Sequence, residues 1–196
     1  MQQTHALLIV DVQNDFFPGG AVPVPEAESV VPVLNSYARW FAEAHLTVFV
    51  SRLWHPVYSR QFASTVERWP RYSIRDTPGA AFHPDLYLPE GAVILSHGMD
   101  PRGGGYSLFQ SVDEDRQDFM TLLRCGGIRE LYVGGLFVDD LIRLTVLDAL
   151  GRGLRVHLLT DAVRGKDSAV LRAAVTEMIT KGAIRTVYDD LPALVR

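Results

Sequence analysis

The sequence predicts an α/β fold: a three-layer, open, mostly parallel sheet of about six strands with helices on both faces. Short apolar runs rich in β-branched residues recur at wide intervals, and segments with helical spacing separate them. Several runs are almost continuously apolar rather than alternating, which is typical of parallel strands covered on both faces. Alternating strands and helices of this length indicate right-handed crossovers within one sheet.

The predicted elements follow one another along the whole chain. The strands are Ala6–Val10, Leu46–Val50, Ala92–Leu95, Glu130–Gly134, Arg155–Leu159 and Ile184–Val187. The helices are Glu26–Ala44, Asp113–Arg124, Leu141–Leu150 and a segment from Asp167 or Ser168 to about Lys181. Asp167 or Ser168 can cap the last helix, and glycines follow three of the four helices, where a left-handed residue ends a helix.

The composition is typical of a globular protein. A length of 196 residues fits a single domain, which we assign to residues 1–196. With 47% hydrophobic residues, the chain can form a substantial hydrophobic core. The net charge of -4 gives no reason to expect nucleic acid. The first apolar run, Ala6–Val10, is strand-sized, so we expect neither a signal peptide nor a membrane span. Cys125 is the only cysteine; we expect it to be buried and the protein to be cytoplasmic.

The segments that follow strands are the places to look for chemistry, because open α/β sheets bind ligands beyond the carboxyl ends of their strands. These segments are Asp11–Gly20, Ser51–Trp69, Ser96–Phe109 and Gly135–Leu141. The second belongs to Arg52–Leu88, a long irregular stretch rich in Pro, Trp, Tyr and His. An irregular stretch of that length in a compact domain is usually functional.

These segments carry motifs that occur in a fixed order. LLIVDVQNDF (Leu7–Phe16) is followed by PGG, then by LWHP, RWP and DTPGAAFHPDL, and finally by YSLF, GGLFVDDLIRLTVLDAL and LLTDA. Together they resemble the nicotinamidases and related isochorismatase-like cysteine hydrolases over nearly the whole chain. The DVQNDF block with PGG resembles the nicotinamidase branch in particular.

The resemblance implies a pocket built around an Asp, a Lys and a Cys. In the family the Asp follows the first strand, the Lys follows the third, and the Cys stands where the fourth strand turns into a helix. A thiolate at a helix N-terminus is stabilised by the helix dipole, and the neighbouring Asp takes its proton. Nicotinamidases add a divalent metal, held by an Asp and histidines, that anchors the pyridine nitrogen of the substrate.

Matched residue by residue, the chain keeps one member of this triad. The Asp matches Asp11, whereas His97 occupies the Lys position and Leu141 the nucleophile position of the G-L-A-T-D-x-C-V pattern. Leucine cannot attack a carbonyl, and the adjacent Asp140 and Ile142 supply no thiol or hydroxyl. We therefore expect no thioester route. His97 either pairs with Asp11 and titrates near neutrality or only fills the space of the missing lysine.

Most metal ligands of the family are replaced as well. Leu53 stands where the D-W-H-P-x-x-H pattern has its Asp, Ser59 where it has its second His, and Tyr72 where W-P-x-H has its His. The remaining imidazole, His55, cannot hold a divalent ion without further ligands. We therefore predict no metal and no cofactor.

Substrate contacts are expected around the triad positions. The candidates are Phe16, Trp54, His55, Tyr106 and Val138, with Trp69 as a further aromatic residue. A flat ligand can stack on aromatic rings, so we expect a small planar molecule as the partner of this pocket. The family commonly forms oligomers, and the resemblance implies a homo-oligomer here.

Three functions remain open. The first is a pseudoenzyme that keeps the pocket and binds a small molecule or a protein partner. The second is an isochorismatase-type hydrolase in which Asp11 acts as an acid on a vinyl ether. The third is a nicotinamidase-related amidohydrolase in which Asp11 and His97 activate water. General acid–base catalysis alone contributes about 10²–10⁴-fold, a small part of a typical enzymatic rate enhancement, so the residues favour the first.

Overall fold

One six-stranded sheet organises the protein, and all of its neighbouring strands run parallel. The structure, a computed structural model, describes residues 4–59, 62, 70–102 and 106–191. The strands are β1 (His5–Val10), β2 (Thr47–Leu53), β3 (Val93–His97), β4 (Glu130–Gly135), β5 (Arg155–Val163) and β6 (Ile184–Thr186). They lie in the order β3-β2-β1-β4-β5-β6 and pair in parallel throughout. The predicted sheet is confirmed.

Helices cover both faces of the sheet. They are α1 (Val30–Glu43), α2 (Phe119–Cys125), α3 (Arg143–Gly151) and α4 (Ser168–Thr180). Successive side chains of a strand point to opposite faces, and β1 divides accordingly. Leu7 packs in a cluster with residues of α1, while Leu8 packs in a second cluster with residues of α2, α3 and α4. This is the three-layer arrangement that the sequence predicts.

The start of α2 and the exposure of Cys125 differ from the sequence predictions. Helix α2 begins at Phe119 rather than near Asp113, because Asp113 accepts the Gln117 N–H at 2.8 Å and so closes a turn before the helix. Asp118 then caps α2 by accepting the Thr121 N–H at 2.9 Å. Cys125, the last residue of α2, is exposed, so the prediction that it is buried is wrong.

The strand order determines where the site lies. The chain proceeds from β1 through β2 to β3 on one side and then returns to place β4 on the other side of β1. The crevice at the carboxyl ends of β1 and β4 is therefore the switch point at which such sheets bind ligands. Within the described ranges, no helix is long and apolar enough to cross a bilayer.

Candidate ligand-binding site

A cavity of about 170 Å³ opens at the carboxyl edge of the sheet. Its walls are formed by Asp11, Val22, Leu53, His55, Tyr72, His97, Tyr106, Phe137, Asp140, Leu141 and Lys166. The three residues at triad positions, Asp11, His97 and Leu141, are therefore brought together. The cavity remains open, although its walls include Leu53, Tyr72 and Leu141. An engineered cavity of about 150 Å³ is known to bind benzene, so this one has the size for a single ring.

Asp11 and His97 form a buried hydrogen-bonded pair. His97 Nε2 lies 2.9 Å from Asp11 Oδ2 and 3.0 Å from Oδ1. Asp11 is 1% exposed and His97 is 4% exposed. A carboxylate oxygen only accepts hydrogen bonds, so Nε2 carries the hydrogen. Of the two alternatives for His97, the structure shows the pairing with Asp11.

Ser51 on β2 completes this group. Its hydroxyl donates to Asp11 Oδ1 at 2.5 Å and accepts the Asp11 backbone N–H at 3.2 Å. Asp11 has a φ of +50°, a left-handed conformation that is uncommon for a residue with a side chain. The two contacts with Ser51 stabilise that conformation, which turns the carboxylate from the end of β1 towards β3.

The rest of the DVQNDF motif supports the walls of the cavity. The Gln13 side chain donates to the carbonyls of Leu53 and Ala80 at 2.9 and 2.8 Å and accepts the Leu53 N–H at 2.7 Å. Asp15 accepts the Ser73 N–H at 2.6 Å. Gln13 therefore fixes the end of β2, and Asp15 fixes the segment that carries Tyr72.

The nucleophile position lies in an irregular turn between β4 and α3. Phe137 has a φ of +59°, and residues Val138–Ile142 form one π-helical turn before α3. The Phe137 carbonyl accepts the N–H groups of both Asp140 and Ile142 at 3.1 Å. This turn places Phe137 and Leu141 on the cavity wall. Leu141 also packs in the core cluster beneath α3, so its isobutyl group closes the wall where the family has a sulfur.

His55 is held by the loop after β3. Its Nδ1 lies 2.9 Å from the Gly98 carbonyl and therefore donates to it. Burial lowers the pKa of His55 below its usual 6.5, so its imidazole is neutral at pH 7. The ring contacts Tyr72 edge-on at 5.5 Å between centroids.

The divalent metal implied by the family does not fit these residues. Leu53 offers no donor atom, Tyr72 offers only a phenol, and His55 already uses Nδ1 for Gly98. In the part of the chain that the structure describes, no group of three or more His, Cys, Asp or Glu could hold a metal ion.

The predicted substrate contacts divide into two groups. His55 and Tyr106 line the cavity, and Tyr106 is 70% exposed at its rim. Phe16 is fully buried and meets the Phe137 ring edge-on at 4.6 Å, so it supports the wall from behind. Val138 is buried in the core. Trp54 lies outside the cavity lining, with the Arg52 guanidinium 4.0 Å from its ring centroid; Trp69 lies outside the described residues.

Three polar or aromatic residues of the site were not found from the sequence, and neither was the apolar Val22. Phe137 and Lys166 line the cavity, and the Lys166 ammonium lies 5.4 Å from the centroid of the Phe137 ring. Lys166 lies in the loop after β5, and the rule that ligands bind beyond strand ends could have pointed to it. Ser51 is the third, and its contact with Asp11 depends on how two strands align in space.

Comparisons with known proteins agree with this fold. Residues 5–187 match the model of the isochorismatase domain. The chain is 37% identical to the nicotinamidase of Escherichia coli, over 94% of each chain. It is 33% identical to the nicotinamidase/pyrazinamidase of Mycobacterium tuberculosis, over 90% of this chain and 95% of that protein. The crystal structure of a Pyrococcus horikoshii pyrazinamidase in complex with zinc superposes with a TM-score of 0.86 at 37% identity, covering 94% of this chain and 99% of that one.

Proposed function

The chain belongs to the isochorismatase family, and on that premise we propose that it is a ligand-binding member that does not carry out thiol-dependent amide hydrolysis. The proposal rests on one observation. Leu141 forms part of the wall of an open cavity at the nucleophile position. On this proposal the cavity binds a ligand, and Leu141 stands in place of the group that would react there.

The ligand is a small planar molecule with one ring. A cavity of about 170 Å³ has room for one ring, and its wall combines aromatic and aliphatic side chains with polar ones. Aromatic rings prefer offset or edge-to-face contacts with flat ligands. The His55, Tyr72 and Phe137 rings provide such surfaces around the cavity.

The Asp11–His97 contact favours a second function, thiol-free hydrolysis in which the pair activates water. General acid–base help of this kind supplies about 10²–10⁴-fold, whereas enzymes typically accelerate reactions by 10⁶-fold or more. The acid role of Asp11 in an isochorismatase-type reaction is less well supported. Its two oxygens already contact the Ser51 hydroxyl and His97 Nε2, so both are engaged within the protein.

Turnover and binding assays on the purified protein test this proposal together. We expect no measurable hydrolysis of nicotinamide or pyrazinamide, and saturable binding of one-ring aromatic compounds by calorimetry or ligand-observed NMR. Hydrolysis that disappears in Asp11→Asn would establish the second function instead. A protein that neither turns over nor binds any one-ring compound would contradict the proposal.

A further inference from the structure

A buried histidine, His157, lies beside the shortest strand of the sheet. His157 on β5 is 1% exposed, and its register partner on β6 is Ile184. Strand β6 has three residues, Ile184–Thr186, and within the described ranges no strand pairs with its outer side. Short edge elements with few contacts belong to the part of a fold that opens most easily. A charge that appears beside β6 can therefore act on a weakly held element.

Both ring nitrogens of His157 are engaged, on opposite sides of the ring. Nε2 lies 3.1 Å from Glu130 Oε2, and Nδ1 lies 3.1 Å from Thr186 Oγ1. A carboxylate only accepts hydrogen bonds, so Nε2 carries the hydrogen and the neutral Nδ1 accepts from the Thr186 hydroxyl. A second proton on the ring occupies Nδ1 and forces this hydroxyl to turn its hydrogen away. The side-chain contact between His157 and β6 therefore depends on the charge of the ring.

The groups around His157 disfavour a cationic ring while β6 is in place. Burial lowers the pKa of His157, and Arg155 and His5 act to lower it further, although Glu130 acts to raise it. The Tyr132 ring, stacked on the imidazole with 4.1 Å between centroids, is a neutral phenol whose pKa is raised by burial. These four neighbours belong to β1, β4 and β5. Movement of β6 away from β5 leaves them in place, admits water to the Nδ1 side of the ring and so relieves the burial.

We propose that β6 is an acid-released edge strand, which separates from β5 in mild acid while the rest of the sheet stays paired. The state in which β6 no longer covers the ring binds the proton more easily, so its population rises as the pH falls. One linked proton changes this equilibrium by at most about tenfold per pH unit. The opening is local because both ends of β6 are anchored. The Ala183 N–H donates to the Met178 carbonyl at 2.9 Å, and the Tyr188 N–H donates to Asp161 Oδ2 at 2.9 Å. This inference is independent of the binding function proposed above.

Amide hydrogen exchange, measured residue by residue with NMR on the wild-type protein, tests the release directly. Between pH 7.5 and pH 5.5, after correction for the intrinsic exchange rate, we expect the protection of the β6 amides that pair with β5 to fall about tenfold more than that of the central strand β1. The fall should coincide with the titration of the His157 ring resonances. Equal losses in β1 and β6 would indicate global unfolding, and constant protection of β6 would indicate no release; either result overturns the inference.

Two histidine variants identify the group that takes up the proton. His157→Gln does not titrate, so the protection of β6 should no longer depend on pH in this window. His5→Gln is the matched control, because His5 Nδ1 faces the same carboxylate, 3.9 Å from Glu130 Oε2, but lies on β1. It should retain the response of β6. A response that disappears in His5→Gln and persists in His157→Gln would assign the proton to the wrong ring. If His157→Gln does not fold, the coincidence of the two midpoints in the wild type decides alone.

Discussion

Three side chains at the end of the sheet occupy the triad positions of the cysteine-hydrolase pattern, and two of them depart from it. Asp11 keeps the position that the family pattern gives it, and His97 and Leu141 replace its lysine and its thiol. His97 still contacts Asp11, at 2.9 Å, so the substitution preserves a hydrogen-bonded pair. Leu141 occupies the nucleophile position but supplies no nucleophilic atom. Under the proposed function, the polar half of the site is rebuilt and the reactive half is lost, which the next two variants test.

Restoring the thiol tests whether the cavity still admits a reagent. In a Cys125→Ser background, which removes the exposed native thiol, Leu141→Cys should be alkylated by iodoacetamide within minutes at pH 8, because residue 141 lines the cavity. Val138→Cys, at a fully buried position of the same turn, is the matched control and should stay unlabelled. Mass spectrometry counts the adducts.

Adding His97→Lys to the Leu141→Cys variant tests whether a lysine at position 97 activates the new thiol. A nearby ammonium favours the thiolate, so we expect alkylation at pH 7 to accelerate on the order of tenfold. An unlabelled thiol at position 141 in both backgrounds would show that the cavity is closed to reagents in solution. Labelling of the Val138→Cys control would show instead that the turn opens as a whole.

Motif matching identified these residues because each follows a strand and belongs to a continuous pattern. Asp11, His97 and Leu141 could therefore be predicted to lie together. Ser51 could not be assigned in this way, because its place depends on the lateral alignment of β1 with β2. Lys166 follows a strand end but belongs to no such continuous pattern. Residue identity alone also did not indicate that Cys125 ends a helix at the surface.

Among the secondary-structure elements, the turn from β4 into α3 does most to shape the cavity. The sequence predicts a helix from Leu141, and the structure has a π-helical turn over Val138–Ile142 before α3 begins at Arg143. Helical spacing correctly predicted α3. Spacing alone does not reveal that the turn before α3 contains an extra residue and is therefore π-helical. Such π-helical turns are rare and frequently occur at functional sites.

Gly135 is the residue that allows this turn to approach β1. Its φ is +131°, and a Cβ there would lie 2.2 Å from the Val10 carbonyl oxygen. We expect Gly135→Ala to lower the free energy of unfolding by about 2–4 kcal/mol, at the upper end of the effects of single substitutions, and to weaken ligand binding. Urea denaturation followed by circular dichroism measures the first effect.

Gly151→Ala is the matched control for this prediction. Gly151 ends α3, and a Cβ at that position meets no atom within 4 Å. Alanine is favoured over glycine in a helix by about 0.5–1 kcal/mol, so the control should be neutral or slightly stabilising. Equal stability of the two variants would mean that close packing of β4 against β1 is not the constraint inferred here.

Considered as a whole, the protein consists of one sheet with two apolar layers, and this could be predicted from the sequence because burial on both faces leaves continuous apolar strands. Its order, with β1 between β2 and β4, explains why motifs far apart in the chain meet in one cavity. The single domain, the cytoplasmic location and the homo-oligomer stay predictions. Size-exclusion chromatography with light scattering tests the last of these.

A buried histidine at the opposite end of the strands leads us to expect that stability depends on pH. His157 on β5 is 1% exposed and stacks on the Tyr132 ring at 4.1 Å. Its Nε2 lies 3.1 Å from Glu130 Oε2, and its Nδ1 lies 3.1 Å from Thr186 Oγ1. Burial lowers the pKa of His157 below 6.5, although the neighbouring Glu130 carboxylate acts to raise it, and Arg155 and His5 act to lower it further.

A lowered histidine pKa in the folded state destabilises the protein in acid. Above pH 6.5 the ring is neutral in both states and its stabilising contacts are fully present. As the pH falls below 6.5, the unfolded chain binds the proton first, so the free energy of unfolding decreases until the lowered folded pKa is passed. His55, whose pKa is also lowered by burial, acts in the same direction. One such group contributes a slope of at most about 1.4 kcal/mol per pH unit.

Urea unfolding between pH 7.5 and pH 5 measures this effect. We expect the midpoint to fall with pH in the wild type and to fall less steeply in His157→Gln, which keeps a hydrogen-bonding group near Glu130 but does not titrate. Carboxylates such as Asp118, whose pKa is lowered by hydrogen bonds from Thr121, lose their contribution only at more acidic pH, so they do not mask this window. A constant denaturant slope verifies that unfolding remains cooperative across the series. If the wild type and His157→Gln have the same pH dependence, then the buried histidine is not the group that makes this fold sensitive to mild acid.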